Sequence, residues 1–136
     1  MTDGPRQVFT VRHLNIQSIQ NKLSILNAEL LSEEQPDLLI LSETWLCEEN
    51  VHLFIPCGYK IASSFTRTNK RGGGVTIYAK MDLETETIKI KCATEELFEC
   101  CATRIKSSHQ KIIALGVYRS PTADHELSLK LMEEAK

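Results

Sequence analysis

Hydrophobic and polar positions change abruptly along residues 36–45. Leu38 to Leu41 form a continuous apolar run, which Pro36 precedes and the polar residues Ser42 and Glu43 follow. The run is too short for a typical helix and has no polar face, so it predicts a central strand buried on both sides. Layered α/β folds bind ligands at the carboxyl ends of such strands. Glu43 is therefore the first candidate for chemistry, although a carboxylate at a strand end is more often only solvated or paired with a lysine.

The residues before this run predict a strand and a helix. Residues 8–15 are rich in β-forming residues, and the strand they predict ends at Asn15. Ser18 can cap a helix, and apolar residues then recur at helical spacing at Ile19, Leu23, Leu26 and Leu30. A right-handed crossover through this helix would make the two strands parallel neighbours. Asn15 and Glu43 would then share one rim of the sheet, unless Asn15 is only a turn residue.

The rest of the chain predicts mostly strands. An irregular surface loop is expected over residues 46–58, with strands over 59–65 and 75–79. Short polar connections predict that the next three strands form an antiparallel meander, at about 84–91, 97–105 and 111–118. Residues 112–117 read as a second fully apolar strand, which leads to Tyr118, Arg119 and Ser120. After Pro121, Thr122 or Asp124 can cap a closing helix with Leu127 and Leu131 on its inner face.

Residues 66–74 form a basic, glycine-rich connection. Three glycines end it, but no Gly-Lys-Ser or Gly-Lys-Thr follows and a strand comes next, so it does not read as a phosphate-binding P-loop. The pattern favours a hairpin turn with unusual backbone angles. Arg67, Lys70 and Arg71 could contact a nucleic-acid backbone. A loop that is merely solvated is an equally good interpretation.

Composition fits a single domain over residues 1–136, with its core in 8–136. The formal net charge of −2 gives no overall attraction to nucleic acid, so a phosphate-binding surface would have to be a local patch. Five cysteines without a Cys-x-x-Cys pair indicate reduced, mostly structural thiols in an intracellular protein. Neither a signal-peptide core nor an apolar run long enough to cross a bilayer is present, so no membrane partner is expected.

Four sequence blocks, in order and at regular spacing, carry a resemblance to a known family. They are residues 14–23 (LNIQSIQNKL), 36–46 (PDLLILSETWL), 73–78 (GGVTIY) and 117–121 (VYRSP). These blocks resemble the endonuclease/exonuclease/phosphatase superfamily, and most closely the apurinic-type endonucleases of jockey-like non-LTR retrotransposons. The resemblance implies a mixed α/β fold, a four-layer α/β/β/α sandwich of the DNase I type. It also implies a Mg²⁺-dependent phosphodiesterase, with Mn²⁺ as a possible substitute, that nicks target DNA to prime reverse transcription.

The resemblance also implies roles for individual residues. Glu43 would be the carboxylate ligand of the metal, and Asn15 beside it would hold the metal's water or a phosphate oxygen. Tyr118 would donate a hydrogen bond to the scissile phosphate, and Arg119 would be a further phosphate contact. Hard cations such as Mg²⁺ take carboxylate and amide oxygens and neutralise charge that develops on a phosphoryl group. Tyr118 could instead be a core aromatic or a sheet-edge residue.

The chain also departs from the family pattern. The Gly-Asp-x-Asn motif and the terminal Ser-Asp-His of the family's second half do not occur. Asp124-His125 reads as the start of a helix instead. We therefore expect the N-terminal portion of a domain whose uncovered sheet face favours low stability or self-association and whose activity is weak or absent. If the chain is part of a longer polyprotein, a reverse transcriptase domain would be its partner and the nucleus its site of action.

Two functional hypotheses follow. The chain is either part of an endonuclease or a non-catalytic remnant that acts as a binding module. A lipid or inositol-phosphate phosphatase is disfavoured by the blocks at 42–45 and 118–121.

Overall fold

A computed structural model describes residues 8–32, 34–68, 71–106 and 111–121, and these form two β-sheets and a helix. The elements in chain order are β1 (Val11–Asn15), α1 (Leu23–Ser32), β2 (Leu38–Ser42), a short 3₁₀ turn (Val51–Leu53), β3 (Tyr59–Phe65), β4 (Val75–Lys80), β5 (Glu84–Ile88), β6 (Glu99–Lys106) and β7 (Lys111–Tyr118). The predicted closing helix lies outside the described residues. In the described part, no helix is long and apolar enough to cross a membrane.

The first sheet, sheet A, has the strand order β1-β2-β4-β3. β1 and β2 are parallel, and the other two pairs are antiparallel. This confirms β2 as a central strand beside β1, and it is buried along its whole length. The hairpin predicted for the glycine-rich connection joins β3 to β4.

The second sheet, sheet B, is the predicted antiparallel meander, with the order β5-β6-β7. The second apolar strand predicted at residues 112–117 is present as β7, but unlike β2 it is not buried along its length. In the described part β7 is an edge strand, and alternate side chains such as Ile113 and Leu115 are exposed. Since side chains alternate across a strand, only one face of β7 packs on sheet A.

The core has two halves, one on each face of sheet A. On one face, helix residues Leu26 and Leu30 pack with Leu39, Leu41 and Tyr78. On the other face, Ile40 and Ile77 pack with Cys101 and Ile105 of sheet B. The described residues therefore form helix, sheet and sheet layers.

Gly116 marks the closest approach between the two sheets. A Cβ atom placed there would lie 3.0 Å from both Ile40 Cγ2 and Val75 Cγ2. Glycine therefore lets β7 lie directly against β2 and β4, and this contact brings the end of β7 to the end of β2.

The predicted start of the helix at Ser18 is wrong. Helix α1 begins at Leu23, and Ser18 has a left-handed φ of 75°. The backbone around Ser18 is bonded instead to the end of β2 and the residue after it: Ile16 N–H donates to Ser42 O, and Ser18 N–H donates to Glu43 O. These bonds hold residues 16–18 in an irregular loop, so the helix begins only after it.

All five cysteines lie in the described residues and have free thiols. Burial raises the pKa of Cys100 to about 11 and that of Cys101 to about 12. Both thiols are therefore protonated near neutral pH, which fits the structural role predicted for them.

Candidate active site

The ends of three strands form one rim of the molecule. Asn15 is paired in register with Ser42, and Glu43 follows Ser42 directly. Tyr118 is the last residue of β7 in the other sheet. Its hydroxyl donates a hydrogen bond of 2.6 Å to Glu43 Oε1. The structure thus brings Glu43 and Tyr118 into contact and places Asn15 at the end of the adjacent strand.

The backbone of Glu43 is held in an uncommon conformation. Its φ is 54°, in the left-handed region that residues other than glycine seldom adopt. Two hydrogen bonds fix it, because Glu43 N–H donates to Gly74 O at 2.8 Å and Glu43 O accepts from Ser18 N–H at 2.8 Å. Trp45 has a similar φ of 58° and donates its N–H to Gly73 O. Conformations of this kind cluster at functional sites, where the surrounding structure imposes them.

Tyr118 is protonated over the physiological pH range. Burial raises its pKa to about 12, and the hydrogen bond to Glu43 and the negative charge of that carboxylate act in the same direction. The positive charge of Arg67 opposes this rise. A phenol has a single hydrogen, and in this structure that hydrogen points at Glu43.

Asn15 is exposed at the end of β1. Within the described ranges its side chain makes no hydrogen bond, so the amide is open to solvent or a ligand. Its neighbour across the strand pair, Ser42, lies with its hydroxyl 3.3 Å from His13 Nε2. The rim beside Glu43 is therefore polar, in contrast to the apolar core beneath it.

The side-chain oxygens at the rim suit a metal ion that keeps most of its hydration shell. Among the described residues, no group of three or more histidine, cysteine or acidic side chains could hold a metal ion. Mg²⁺ commonly binds through one or two carboxylates, with water and substrate phosphate as its other ligands. Glu43 Oε2 makes no hydrogen bond to any described residue, and the amide oxygen of Asn15 is exposed. Glu43 and Asn15 thus fit such a site, but they do not form an all-protein cage.

The basic residues predicted to contact DNA fall into different environments. Arg71 and Arg119 are exposed, and Lys70 lies outside the described residues. Arg67 differs from the prediction, because only 8% of its side chain is exposed and its Nε lies 2.6 Å from Glu99 Oε2. A guanidinium held in a buried ion pair is not a free surface cation. We therefore do not assign Arg67 to DNA contact.

Glu99 is the residue near the site that sequence reasoning missed. It is fully buried and accepts hydrogen bonds from the Gly74 and Glu96 amides as well as from Arg67. A signal was present, since Glu99 is the one charged residue in the stretch 97–102 of a predicted strand. Charged residues are almost never fully buried without partners, so its position indicates a paired carboxylate.

Comparisons with known proteins show what this fold resembles. No family model matches the sequence, and no curated protein matches it. Among solved structures, the endonuclease domain of TRAS1, a telomere-specific non-LTR retrotransposon, matches with a TM-score of 0.67 and 14% identity, over 94% of this chain and 54% of that one. The AP endonuclease LMAP from Leishmania major matches with a TM-score of 0.57 and 22% identity, over 81% of this chain and 39% of that one.

A third similar structure is a 3′ phosphatase from Neisseria bound to a product DNA hairpin. It matches with a TM-score of 0.45 and 17% identity, over 78% of this chain and 40% of that one. The chain thus spans about half the length of the first of these structures and less of the other two. The first two matches confirm the fold predicted from the four sequence blocks. Over the part of the domain that it spans, the chain has a DNase I-like fold, as these two endonuclease structures do.

Proposed function

We propose that this chain is part of a Mg²⁺-dependent DNA endonuclease of the non-LTR retrotransposon type, which nicks target DNA to prime reverse transcription. The observation that carries the proposal is the contact between Tyr118 and Glu43 at a strand-end rim that also presents Asn15. A phenol, a carboxylate and an amide from separate strands are the groups expected around a metal and a phosphodiester.

In the proposed site Glu43 binds the metal through its carboxylate, and Asn15 holds a metal-bound water or a phosphate oxygen. A bound Mg²⁺, or Mn²⁺ in its place, supplies positive charge that stabilises the charge developing on the phosphoryl group. The left-handed backbone at Glu43 and its two backbone hydrogen bonds limit the directions the carboxylate can take. Positioning of this kind accounts for most of the catalysis in phosphoryl transfer.

Tyr118 has two possible roles, and its single hydrogen makes them exclusive. While the hydroxyl donates to Glu43 it orients the carboxylate, and it cannot donate to a phosphate oxygen at the same time. We propose that Tyr118 orients Glu43 in the free protein and donates to the phosphate when DNA is bound. The raised pKa, about 12, keeps the hydrogen in place for either role.

DNA is the proposed substrate because two structures similar to this chain are a retrotransposon endonuclease domain and an AP endonuclease. Contacts to the DNA backbone are assigned to Arg119, next to Tyr118, and to the exposed Arg71. The net charge of −2 requires such local contacts. A reverse transcriptase partner and a nuclear site of action belong to the same proposal.

The test is a nicking assay on supercoiled plasmid DNA with and without Mg²⁺. The proposal predicts metal-dependent nicking that Glu43→Ala abolishes and that Glu86→Ala, at an exposed site on β5, retains. Nicking that persists without a divalent metal, or in Glu43→Ala, would contradict it.

A complete absence of nicking by the wild-type chain would favour the alternative, a non-catalytic binding module. Two observations make this the second candidate. Among the described residues no group of three or more histidine, cysteine or acidic side chains could hold a metal, and exposed Ile113 and Leu115 offer an apolar surface for self-association. DNA binding or dimer formation without hydrolysis would then be the measurable function.

A further inference from the structure

Glu99 lies at the start of β6 with its carboxylate completely buried. Three nitrogen donors converge on it. Gly74 N–H donates to Oε1 at 2.6 Å, while Arg67 Nε at 2.6 Å and Glu96 N–H at 2.8 Å donate to Oε2. Each of these hydrogen bonds involves a charged group, and such bonds are shorter and stronger than neutral ones. The cluster joins the connection between β3 and β4 firmly to sheet B.

One peptide group links this carboxylate to the candidate active site. The peptide between Gly73 and Gly74 donates its N–H to Glu99 and accepts the N–H of Trp45 through its carbonyl oxygen. The next carbonyl, Gly74 O, accepts the N–H of Glu43. Glu99 is therefore separated from the backbone of Glu43 by the single residue Gly74.

A second route leads from Glu99 to the same site. Glu99 is paired in register with Tyr118 across β6 and β7. Its side chain thus fixes the connection that holds Glu43, while its backbone pairs with the residue that donates to Glu43. The four residues Glu99, Gly74, Glu43 and Tyr118 form a closed ring of contacts, and both sides of the Tyr118–Glu43 hydrogen bond depend on Glu99.

We infer that Glu99 is a positioning residue for the Glu43 site, which it supports through Gly74 and Tyr118 without touching the substrate. The chemistry requires a carboxylate here. An amide at this position would turn its N–H₂ group either towards the Gly74 donor, with one bond lost, or towards the Arg67 and Glu96 donors, with two bonds lost. Part of this inference, the effect on turnover, rests on the function proposed above, whereas the effect on the backbone of Glu43 does not.

The structural test compares Glu99→Gln with Glu86→Gln, which changes an exposed glutamate on the neighbouring strand. Leu30→Ala serves as a second control, because Leu30 is buried on the face of sheet A opposite to sheet B, so its truncation destabilises the fold without removing a contact of Glu99. The measurements are the amide chemical shifts and hydrogen-exchange rates of Glu43 and Trp45 in the folded protein. Trp45 fluorescence adds an independent readout, because Trp45 is the only tryptophan in the chain.

For Glu99→Gln we expect the chemical shifts of the Glu43 and Trp45 amides to change. We also expect these two amides to exchange about tenfold faster than in the wild type, as loss of one hydrogen bond implies, while other amides of sheet A change less. In Leu30→Ala we expect exchange to rise evenly across the sheet, without a selective change at these two amides. Glu86→Gln should leave both amides unchanged. If the Glu43 and Trp45 amides in Glu99→Gln match those in the controls, the inference is wrong.

The steady-state kinetics of DNA nicking provide the second test. If the wild-type chain nicks DNA, Glu99→Gln should lower kcat about 10- to 100-fold with KM within about twofold, because misplacement of a reacting group affects the chemical step more than binding. Leu30→Ala should keep kcat at temperatures where it is folded. Equal kcat in Glu99→Gln and wild type would overturn the inference. If no protein nicks DNA, the proposed function fails, and the amide measurements still decide the role of Glu99.

Discussion

The Tyr118 hydroxyl donates a 2.6 Å hydrogen bond to Glu43 Oε1, although the two residues lie 75 positions apart in the chain. Tyr118 ends β7 in sheet B, and Glu43 directly follows β2 in sheet A. The bond therefore joins the two sheets at the rim where the chemistry is proposed. The conformation of the carboxylate depends on how the sheets pack as well as on the strand that carries it.

Tyr118→Phe removes this bond and leaves the ring in place. We expect a loss of about 1 kcal/mol in the free energy of unfolding, as for one hydrogen bond that is only partly buried. Tyr59→Phe is the matched control, because Tyr59 donates a 2.6 Å hydrogen bond to Pro36 O away from the rim. Urea unfolding should show similar losses for both variants. Only Tyr118→Phe should move the side-chain NMR signals of Glu43, and equal effects of both variants there would contradict the assignment.

Tyr118 should titrate well above an ordinary tyrosine. Its pKa is raised from 10 to about 12 in the folded protein, so the protonated phenol favours the folded state. This contribution is fully present below pH 10 and is lost as the pH rises through about 12. Cys101 titrates in the same range, so the measurement must resolve the individual residue. An NMR titration of the Tyr118 ring should give a midpoint near 12, and a midpoint near 10 would contradict both the burial of the phenol and its contact with Glu43.

Gly74→Ala tests the backbone that holds Glu43. Gly74 has a φ of 89°, and an added Cβ would lie 2.8 Å from Thr44 Oγ1 and 3.3 Å from Phe65 O. Gly58→Ala is the control, since Gly58 has a φ of 86° but its nearest neighbour would be 4.0 Å away. We expect about 1–2 kcal/mol of backbone strain in Gly58→Ala and a larger loss in Gly74→Ala, where overlap adds to the strain.

Of these two variants, only Gly74→Ala should also shift the NMR signal of the Glu43 amide. Equal losses of stability in the two variants, with no change at Glu43, would show that the connection at Gly74 tolerates a side chain and does not define the site.

Much of the fold could be predicted because it follows from local patterns. The apolar run at Leu38 to Leu41 indicated a strand buried on both sides, and its position after a helix indicated a parallel neighbour. The same reasoning placed Asn15 and Glu43 at adjacent strand ends. Alternation and short connections were enough to predict the meander of β5, β6 and β7.

The predictions for Arg67 and Ser18 were wrong because the structure there depends on contacts between residues far apart in sequence. Arg67 reads as a loop cation until Glu99, 32 residues later, is known to lie beside it. Ser18 reads as a helix cap, but its amide is bonded to Glu43 O. In both cases the tertiary partner overrides the local preference, and no pattern within the segment itself reveals that partner.

The central claim is that the rim at Glu43 binds a divalent cation, and Mn²⁺ tests it most directly because its paramagnetism broadens nearby NMR signals. Added in substoichiometric amounts to the wild-type chain, Mn²⁺ should selectively broaden the amide signals of Asn15, Glu43 and Tyr118, and excess Mg²⁺ should reverse the effect. In Glu43→Gln, which keeps the size of the side chain and removes its charge, the selective broadening should disappear. Broadening centred on another part of the chain, or unchanged in Glu43→Gln, would contradict the assignment of Glu43 as the metal ligand.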